Sequence, residues 1–263
     1  MIGLADAHYH LNMKSPNPVL ELVELLRNGI ISKCVLILNN EHEMECTIQN
    51  FSLIEKYTSQ IHIAILLDPH DVTIYNKYKS FFDSKGISTS IKIHPRLSNI
   101  CKNDFELVKK AIEGTKYKNI LVDGLFYGTR TENFVSIELS IFLAKKFPET
   151  KVILCHFGGH KVLEAMLYTR ELNNVYYDIS CSVCYFRGTS VWQDLSHAVK
   201  FNSDRVMLGS DYPMFSIETS FDTLKDMVNL YEEESYLIKK VAEENIMNVF
   251  FSNTMNKNEE RVR

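Results

Sequence analysis

The stretch Asp6-Ala7-His8-Tyr9-His10 decides how the rest of this chain is interpreted. Residues 2–7 form a short apolar run, typical of a buried β-strand, and histidines stand at positions 8 and 10. Because side chains alternate across a strand, imidazoles at i and i+2 leave on the same face. Two neutral imidazoles on one rigid edge can form half of a metal site. Two unrelated surface histidines would give the same short pattern, so the decision rests on the remaining sequence.

The apolar run at the N-terminus is the first of eight such runs. They cover residues 2–7, 34–38, 61–67, 89–93, 119–122, 151–155, 175–179 and 205–208. They begin 24 to 32 residues apart, which suits a strand followed by a crossover helix in a parallel sheet. Ile, Val and Leu dominate them without strict polar alternation, as expected of strands that are covered on both faces.

The stretches between the runs carry helix signals. Helices are predicted over 16–28, 71–85, 103–113, 132–147, 160–169, 189–200, 218–231 and 234–250. Eight strand–helix units predict a (β/α)₈ TIM barrel over residues 1–252, followed by a polar, frayed tail at 253–263. An open doubly wound sheet is the alternative, but its first turn usually carries GxGxxG, and the first turn here does not.

Composition narrows the function classes. The 263 residues are 45% hydrophobic and lack a Pro/Gly/Ser-rich linker, which favours one domain with a sizeable core. A net charge of -4 with scattered basic residues argues against nucleic-acid binding, and no apolar run is long enough to span a membrane. Six cysteines without a secretory leader favour reduced thiols in a cytoplasmic protein. The expected partner is a small-molecule substrate, and a homodimer is a common assembly.

Side chains that can bind a metal or move a proton follow six of the eight runs. They are His8 with His10, Asp68, His94, Asp123, His156 and Asp211. In a (β/α)₈ barrel the carboxyl ends of all strands converge on one rim, where active sites lie. Residues from opposite ends of the chain are therefore predicted to meet in one pocket.

Three motifs, read in chain order, carry a family resemblance. The chain has His8-Tyr-His10 after the first run, His156-Phe-Gly-Gly159 after the sixth and Gly209-Ser-Asp211-Tyr-Pro213 after the eighth, with Lys92-Ile-His94-Pro95 on the fourth. In this order they resemble the amidohydrolase superfamily, above all its amidohydrolase-2 group of aromatic-acid decarboxylases and lactone hydrolases. The resemblance covers nearly the whole chain and implies a TIM barrel with one divalent metal ion. Zn²⁺ is favoured over Mn²⁺ as this ion.

The resemblance also implies roles for single residues. His8 and His10 match the first-strand metal ligands, and Asp211 matches the aspartate that binds metal and handles protons. His156 matches the histidine that polarises the substrate or acts as acid and base. The chain departs from the family where Asp123 replaces a fifth-strand histidine ligand. Either Asp123 is the fourth ligand, or His156 completes the site, or the site is metal-poor, as in the metal-independent lactonases of this group.

Four further residues are candidates for substrate contact. Lys92 and His94 share one strand face. Lys92 is expected to belong to an ion pair, and His94 to face the substrate. A carbamylated Lys92 that bridges two metal ions is the less favoured alternative. Arg130 and Arg187 lie on loops after the fifth and seventh runs. A guanidinium there suits a carboxylate substrate, although most loop arginines are only solvated.

These features together predict a metal-dependent hydrolase. Metal-activated water would attack a C–N or C–O bond of a small lactone, cyclic amide or carboxylated substrate. Asp211 would carry the proton, and His156 would stabilise the oxyanion. Two alternatives stay open: a non-oxidative decarboxylase of a small aromatic or unsaturated acid, and a binding protein that kept the barrel without the chemistry.

Overall fold

The computed structural model describes residues 3–229 and 234–252, so the predicted tail at 253–263 lies outside the described residues. Eight strands form one sheet in chain order, and each pairs in parallel with the next. They are β1 Ala5–Tyr9, β2 Lys33–Leu38, β3 Ile61–Leu66, β4 Thr89–Ile93, β5 Asn119–Val122, β6 Lys151–Leu154, β7 Val175–Asp178 and β8 Val206–Met207. The prediction of a (β/α)₈ barrel is confirmed.

Backbone hydrogen bonds between β1 and the segment around β8 close this sheet. The N–H of Ala7 donates to the carbonyl of Leu208 at 2.9 Å, and the N–H of Asp211 donates to the carbonyl of His8 at 2.8 Å. Closure therefore places the first and last motifs of the chain side by side.

Helices cover the outside of the barrel. The α-helices are α1 Pro18–Arg27, α2 Glu41–Gln49, α3 Phe51–Ile54, α4 Val72–Ser84, α5 Phe105–Glu113, α6 Ser136–Lys146, α7 Val162–Tyr168, α8 Ser182–Tyr185, α9 Ser190–Phe201, α10 Ile217–Val228 and α11 Glu234–Lys239. Within residues 3–229 and 234–252, no helix is long and apolar enough to cross a bilayer.

Several predicted boundaries differ from the observed ones. The first strand is Ala5–Tyr9 rather than 2–7, because the polar residues of the first motif continue the ladder with β2 and His8 lies inside the strand. The predicted helix 132–147 begins only at Ser136, since Thr131–Asn133 forms a separate 3₁₀ turn. The predicted last helix continues from α11 into two π-helical segments, Lys240–Glu244 and Met247–Phe251.

The last helical segment closes the amino end of the barrel, where the strands begin. Ile246, Val249 and Phe250 pack against the inward-facing apolar residues of the strands, which are Ala5, Ala7, Val35, Ile37, Ala64, Leu121, Ile153 and Met207. Lys118 and Lys151, just before β5 and at the start of β6, donate to the carbonyls of Phe250 at 2.6 Å and Asn248 at 2.7 Å. The opposite end, called the carboxyl rim below, carries the polar residues.

Candidate active site

Three side chains from the first and last motifs converge at the carboxyl rim. The Nε2 atoms of His8 and His10 are 3.2 Å apart. The Oδ1 atom of Asp211 lies 3.7 Å from His8 Nε2 and 3.5 Å from His10 Nε2. Ligands bound tetrahedrally to zinc at about 2.0–2.1 Å stand roughly 3.3 Å from one another. The three donor atoms therefore have the spacing of ligands around one small cation.

Each of these imidazoles is held by an acceptor at its other nitrogen. Nδ1 of His8 is 3.1 Å from Oδ2 of Asp178, and Nδ1 of His10 is 3.2 Å from the carbonyl oxygen of Ile37. An ionised carboxylate and a carbonyl only accept hydrogen bonds, so each Nδ1 carries the hydrogen and each Nε2 presents its lone pair. Burial lowers the pKa of His8 to about 4, which keeps that ring neutral. Two facing lone pairs and a carboxylate fit a divalent cation.

Asp211 is fixed by the backbone around it. Its φ of 59° is left-handed, and its N–H is bound to the carbonyl of His8. Burial would raise the pKa of this carboxyl, but the neighbouring imidazoles of His10, His156 and His8 hold the pKa below its ordinary value. Two residues earlier, a Cβ at Gly209 would stand 2.8 Å from the Cβ of His8, so only glycine fits where the last motif passes β1.

His156 links this centre to the fifth strand. Its Nδ1 is 2.9 Å from the carbonyl oxygen of Ser180, and its Nε2 is 3.3 Å from Oδ2 of Asp123. Burial opposes protonation, but the Asp123 hydrogen bond and the nearby carboxylates, Asp211 first, raise the pKa of His156 to about 9. Acceptors at both nitrogens and the raised pKa favour the charged form of this ring. One of its nitrogens lies within 4.8 Å of ligand atoms of both His8 and Asp211.

Asp123, the residue that departs from the family pattern, lies among basic side chains. Its oxygens are 3.8 Å from Lys92 Nζ, 3.6 Å from His94 Nε2 and 3.7 Å from Arg96 Nη2. Burial would raise the pKa of Asp123, but the charges of His94 and Lys92 and the His156 hydrogen bond hold it well below its ordinary value. Lys92 is fully buried, and we therefore interpret it as an ion-pair partner. A substrate that enters from solvent cannot contact it directly.

The two predicted loop arginines are not among these buried residues. Arg187 is exposed and donates to Asp226 on α10 at 2.5 Å. Arg130 is exposed at the start of a 3₁₀ turn, and within the described residues no contact joins it to the centre. The guanidinium that does reach the centre is Arg96, because the turn after β4 carries it to Asp123.

Sequence reasoning missed two aspartates that position this centre. Asp178, the last residue of β7, accepts from His8 Nδ1 through Oδ2, and through Oδ1 from the N–H groups of His156 at 3.2 Å and Ser180 at 3.1 Å. Asp6 accepts from the N–H and the hydroxyl of Ser210 at 2.9 and 2.6 Å. The sequence signal for Asp178 was a charged residue inside an otherwise apolar strand. The signal for Asp6 was its position in the first motif, next to His8.

Comparison with known proteins gives one family match. The Amidohydro_2 model, described as amidohydrolase, matches residues 122–251, the part of the chain with Asp123, His156 and Asp211. No curated protein matches the sequence.

Two solved structures share the fold. An uncharacterized TIM-barrel protein from Bordetella bronchiseptica has a TM-score of 0.68 and 13% identity, covering 94% of this chain and 98% of its own. A dihydroorotase from Campylobacter jejuni has a TM-score of 0.63 and 18% identity, covering 94% of this chain and 82% of its own. At these identities the likeness is one of fold, and the family match relates residues 122–251 to amidohydrolases. The chain is a TIM barrel whose residues 122–251 match the amidohydrolase family model.

Proposed function

We propose that this protein is a hydrolase that opens the C–N or C–O bond of a small lactone, cyclic amide or similar substrate. The observation that carries the proposal is the convergence of His8 Nε2, His10 Nε2 and Asp211 Oδ1 at 3.2 to 3.7 Å. These three residues would hold one divalent cation, Zn²⁺ or Mn²⁺. Such a cation lowers the pKa of a water molecule and polarises a carbonyl oxygen.

Asp211 is the proposed proton carrier. Its carboxylate is ionised at neutral pH and faces both Nε2 atoms, so it can take a proton from water at the centre. The same carboxyl group can then deliver that proton to the leaving nitrogen or oxygen. The left-handed backbone at this residue keeps the group in place between the two steps.

His156 is the proposed oxyanion stabiliser rather than a ligand. Both of its nitrogens carry hydrogen, because Ser180 and Asp123 provide an acceptor for each. An imidazolium cannot bind a cation through nitrogen, but it can stabilise negative charge that develops on a carbonyl oxygen. Asp123 would then act through His156, by keeping the ring charged and oriented.

Non-oxidative decarboxylation is the second candidate. The observation that favours it is the same buried imidazolium: with its pKa raised to about 9, His156 is a proton donor that could protonate a substrate carbon after CO₂ leaves.

Parallel assays separate the candidates. Ring opening of lactones and cyclic amides is followed by acid release, and small aromatic acids are tested for CO₂ release. We expect ring opening that a chelator abolishes and Zn²⁺ restores. His10→Ala should lose the activity, while His197→Ala, at an exposed position on α9, should keep it. Release of CO₂ without ring opening would favour the decarboxylase. If the metal-loaded protein shows turnover in neither assay, the result would favour the binding protein.

A further inference from the structure

A cavity of about 480 Å³ lies at the amino end of the barrel, at the opposite end from the candidate active site. Its wall includes the first residues of β4, β5 and β6 and the end of the last helical segment, which are Thr89, Asn119, Lys151 and Val249. The volume falls in the range of pockets that bind small molecules. The proposed mechanism uses none of the residues that line this cavity.

The cavity wall carries an excess of positive charge. Four lysines and two acidic residues line it, which leaves a net charge of +2. The six are Lys79, Lys116, Lys118, Lys151, Asp83 and Glu149. Lys79 and Asp83 form a salt bridge with each other within α4. In the part of the chain that the structure describes, no carboxylate forms a salt bridge with Lys116, Lys118 or Lys151.

The two half-buried lysines of this wall are held by the backbone of the last helical segment. Lys118 Nζ donates to the carbonyls of Phe250 at 2.6 Å and Ser252 at 3.0 Å. Lys151 Nζ donates to the carbonyl of Asn248 at 2.7 Å. Because an ammonium group has three donors, the described residues leave one on Lys118 and two on Lys151 for a ligand. These ammonium groups are already fixed in place, so a ligand loses little binding energy in ordering them.

The positive charges of this wall also disfavour one another. Burial first, and then the charge of Lys151, lowers the pKa of Lys118. Burial likewise lowers the pKa of Lys151. Both shifts mean that the folded chain holds these charges at a cost in free energy, and an anion in the cavity would offset that cost.

A phosphate group matches this wall in charge and in acceptors. It carries close to two negative charges at neutral pH and three strong acceptor oxygens, and lysine is a common partner for it. The cavity has room for more than this one group. The half-buried ring of Tyr117 in its wall also offers a surface on which an organic group can pack.

We propose that the cavity at the amino end binds the phosphate group of a small molecule through Lys116, Lys118 and Lys151. The volume of the cavity and the ring of Tyr117 favour a phosphate monoester over the free ion as its source. Since Lys118 and Lys151 also hold the last helical segment, the ligand stabilises the closed end of the barrel. The site lies away from the metal centre, so the inference does not depend on the proposed function.

Calorimetric titration with three probes tests the site. The probes are phenyl phosphate, inorganic phosphate and phenol, which lacks the charge, in chloride buffer of constant ionic strength at about pH 8, where both phosphates are dianions. We expect phenyl phosphate to bind at a ratio of about one per chain and at least about tenfold more tightly than phenol. Tighter binding of phenyl phosphate than of inorganic phosphate supports a monoester as the ligand, and equal binding supports the free ion.

Variants assign the anion to this cavity. Lys151→Met should weaken phenyl phosphate about tenfold, because it removes a charged donor. Lys116→Gln should weaken it about threefold, because this ammonium is exposed. Lys145→Gln, at an exposed position on α6, is the matched control and should bind like the wild type. Circular dichroism of each variant checks the fold, and the Lys116 variant keeps the lysine bonds to the last segment.

A further variant excludes binding at the metal centre. His8→Ala combined with His10→Ala should bind phenyl phosphate as tightly as the wild type does. Loss of binding in that double variant would overturn the inference. Phenyl phosphate that binds no more tightly than phenol, or that binds both lysine variants as tightly as the wild type, would also overturn it.

Discussion

The two ends of this barrel are held together by different kinds of contact. At the carboxyl rim, buried and half-buried acidic and basic side chains lie 3.1 to 3.8 Å from one another. At the amino end, Ile246, Val249 and Phe250 fill the barrel with apolar groups, and lysines cap the carbonyls of the final segment. Buried charge is costly to keep unless it is paired, whereas apolar burial stabilises directly. The comparison assigns chemistry to the rim and stability to the amino end.

Backbone conformation also sets the carboxyl rim apart. His156, Phe157, Cys181 and Asp211 at the rim adopt left-handed φ values of 57°, 48°, 57° and 59°, although none is glycine. Such conformations cost on the order of 1 kcal/mol or more each and persist where the surroundings fix them. Here Asp178, Asp6 and the β1–β8 hydrogen bonds provide that fixation. Changes at the rim should therefore affect activity and metal affinity more than stability.

Asp211→Asn should have the largest effect on activity. The amide has the same volume but cannot accept the proton, so we expect kcat/KM to fall at least about 100-fold. The free energy of unfolding should change little. Steady-state kinetics and urea unfolding measure the two quantities, with Asp194→Asn on α9 as the control. Full activity in Asp211→Asn would contradict the assignment of the chemistry to the carboxyl rim.

Asp178→Asn should weaken metal binding. An amide at this position can donate to Nδ1 of His8, which would move the hydrogen to Nε2 and remove the lone pair from the centre. We expect the affinity for Zn²⁺ to fall about 10- to 100-fold, measured by competition with a chromophoric chelator. Unchanged affinity would mean that Asp178 does not set the tautomer of His8.

At the amino end, Lys118→Met combined with Lys151→Met should lower stability without loss of activity. The two ammonium groups donate to the carbonyls of Phe250 and Asn248, and their removal should reduce the free energy of unfolding by about 2 kcal/mol. Urea unfolding measures the change, and kcat/KM should stay within about twofold of the wild type. A large loss of activity at unchanged stability would contradict the assignment.

His62, also at the amino end, should make stability depend on pH. It packs against Phe250, and burial lowers its pKa from 6.5 to about 3. Below pH 6.5 the unfolded chain therefore binds a proton at His62 that the folded chain does not bind. The free energy of unfolding falls as the pH drops. Between pH 6.5 and 5.5 this loss is about 1 kcal/mol. His62→Gln should show a correspondingly shallower pH dependence in urea unfolding; an identical slope would exclude His62 as its source.

The sequence was most informative where the chain order of motifs decides which strand ends meet. The eight apolar runs predicted the barrel, and the motifs after the first and eighth runs predicted which residues meet; closure does bring His8, His10 and Asp211 together. Asp178 was not predicted as a site residue because it lies inside the apolar run 175–179 and not after it. The choice among Arg96, Arg130 and Arg187 depends on the paths of rim loops, for which sequence has no readable code. The left-handed turn at His156 likewise arises from contacts that only the folded chain makes.

Metal content per chain tests the central claim most directly. The protein is expressed with added Zn²⁺ and Mn²⁺, dialysed against metal-free buffer and analysed by inductively coupled plasma mass spectrometry. We predict close to one divalent ion per chain in the wild type and in His197→Ala, and almost none when His8→Ala and His10→Ala are combined. A wild type without transition metal, or a double variant that keeps its ion, would contradict the account.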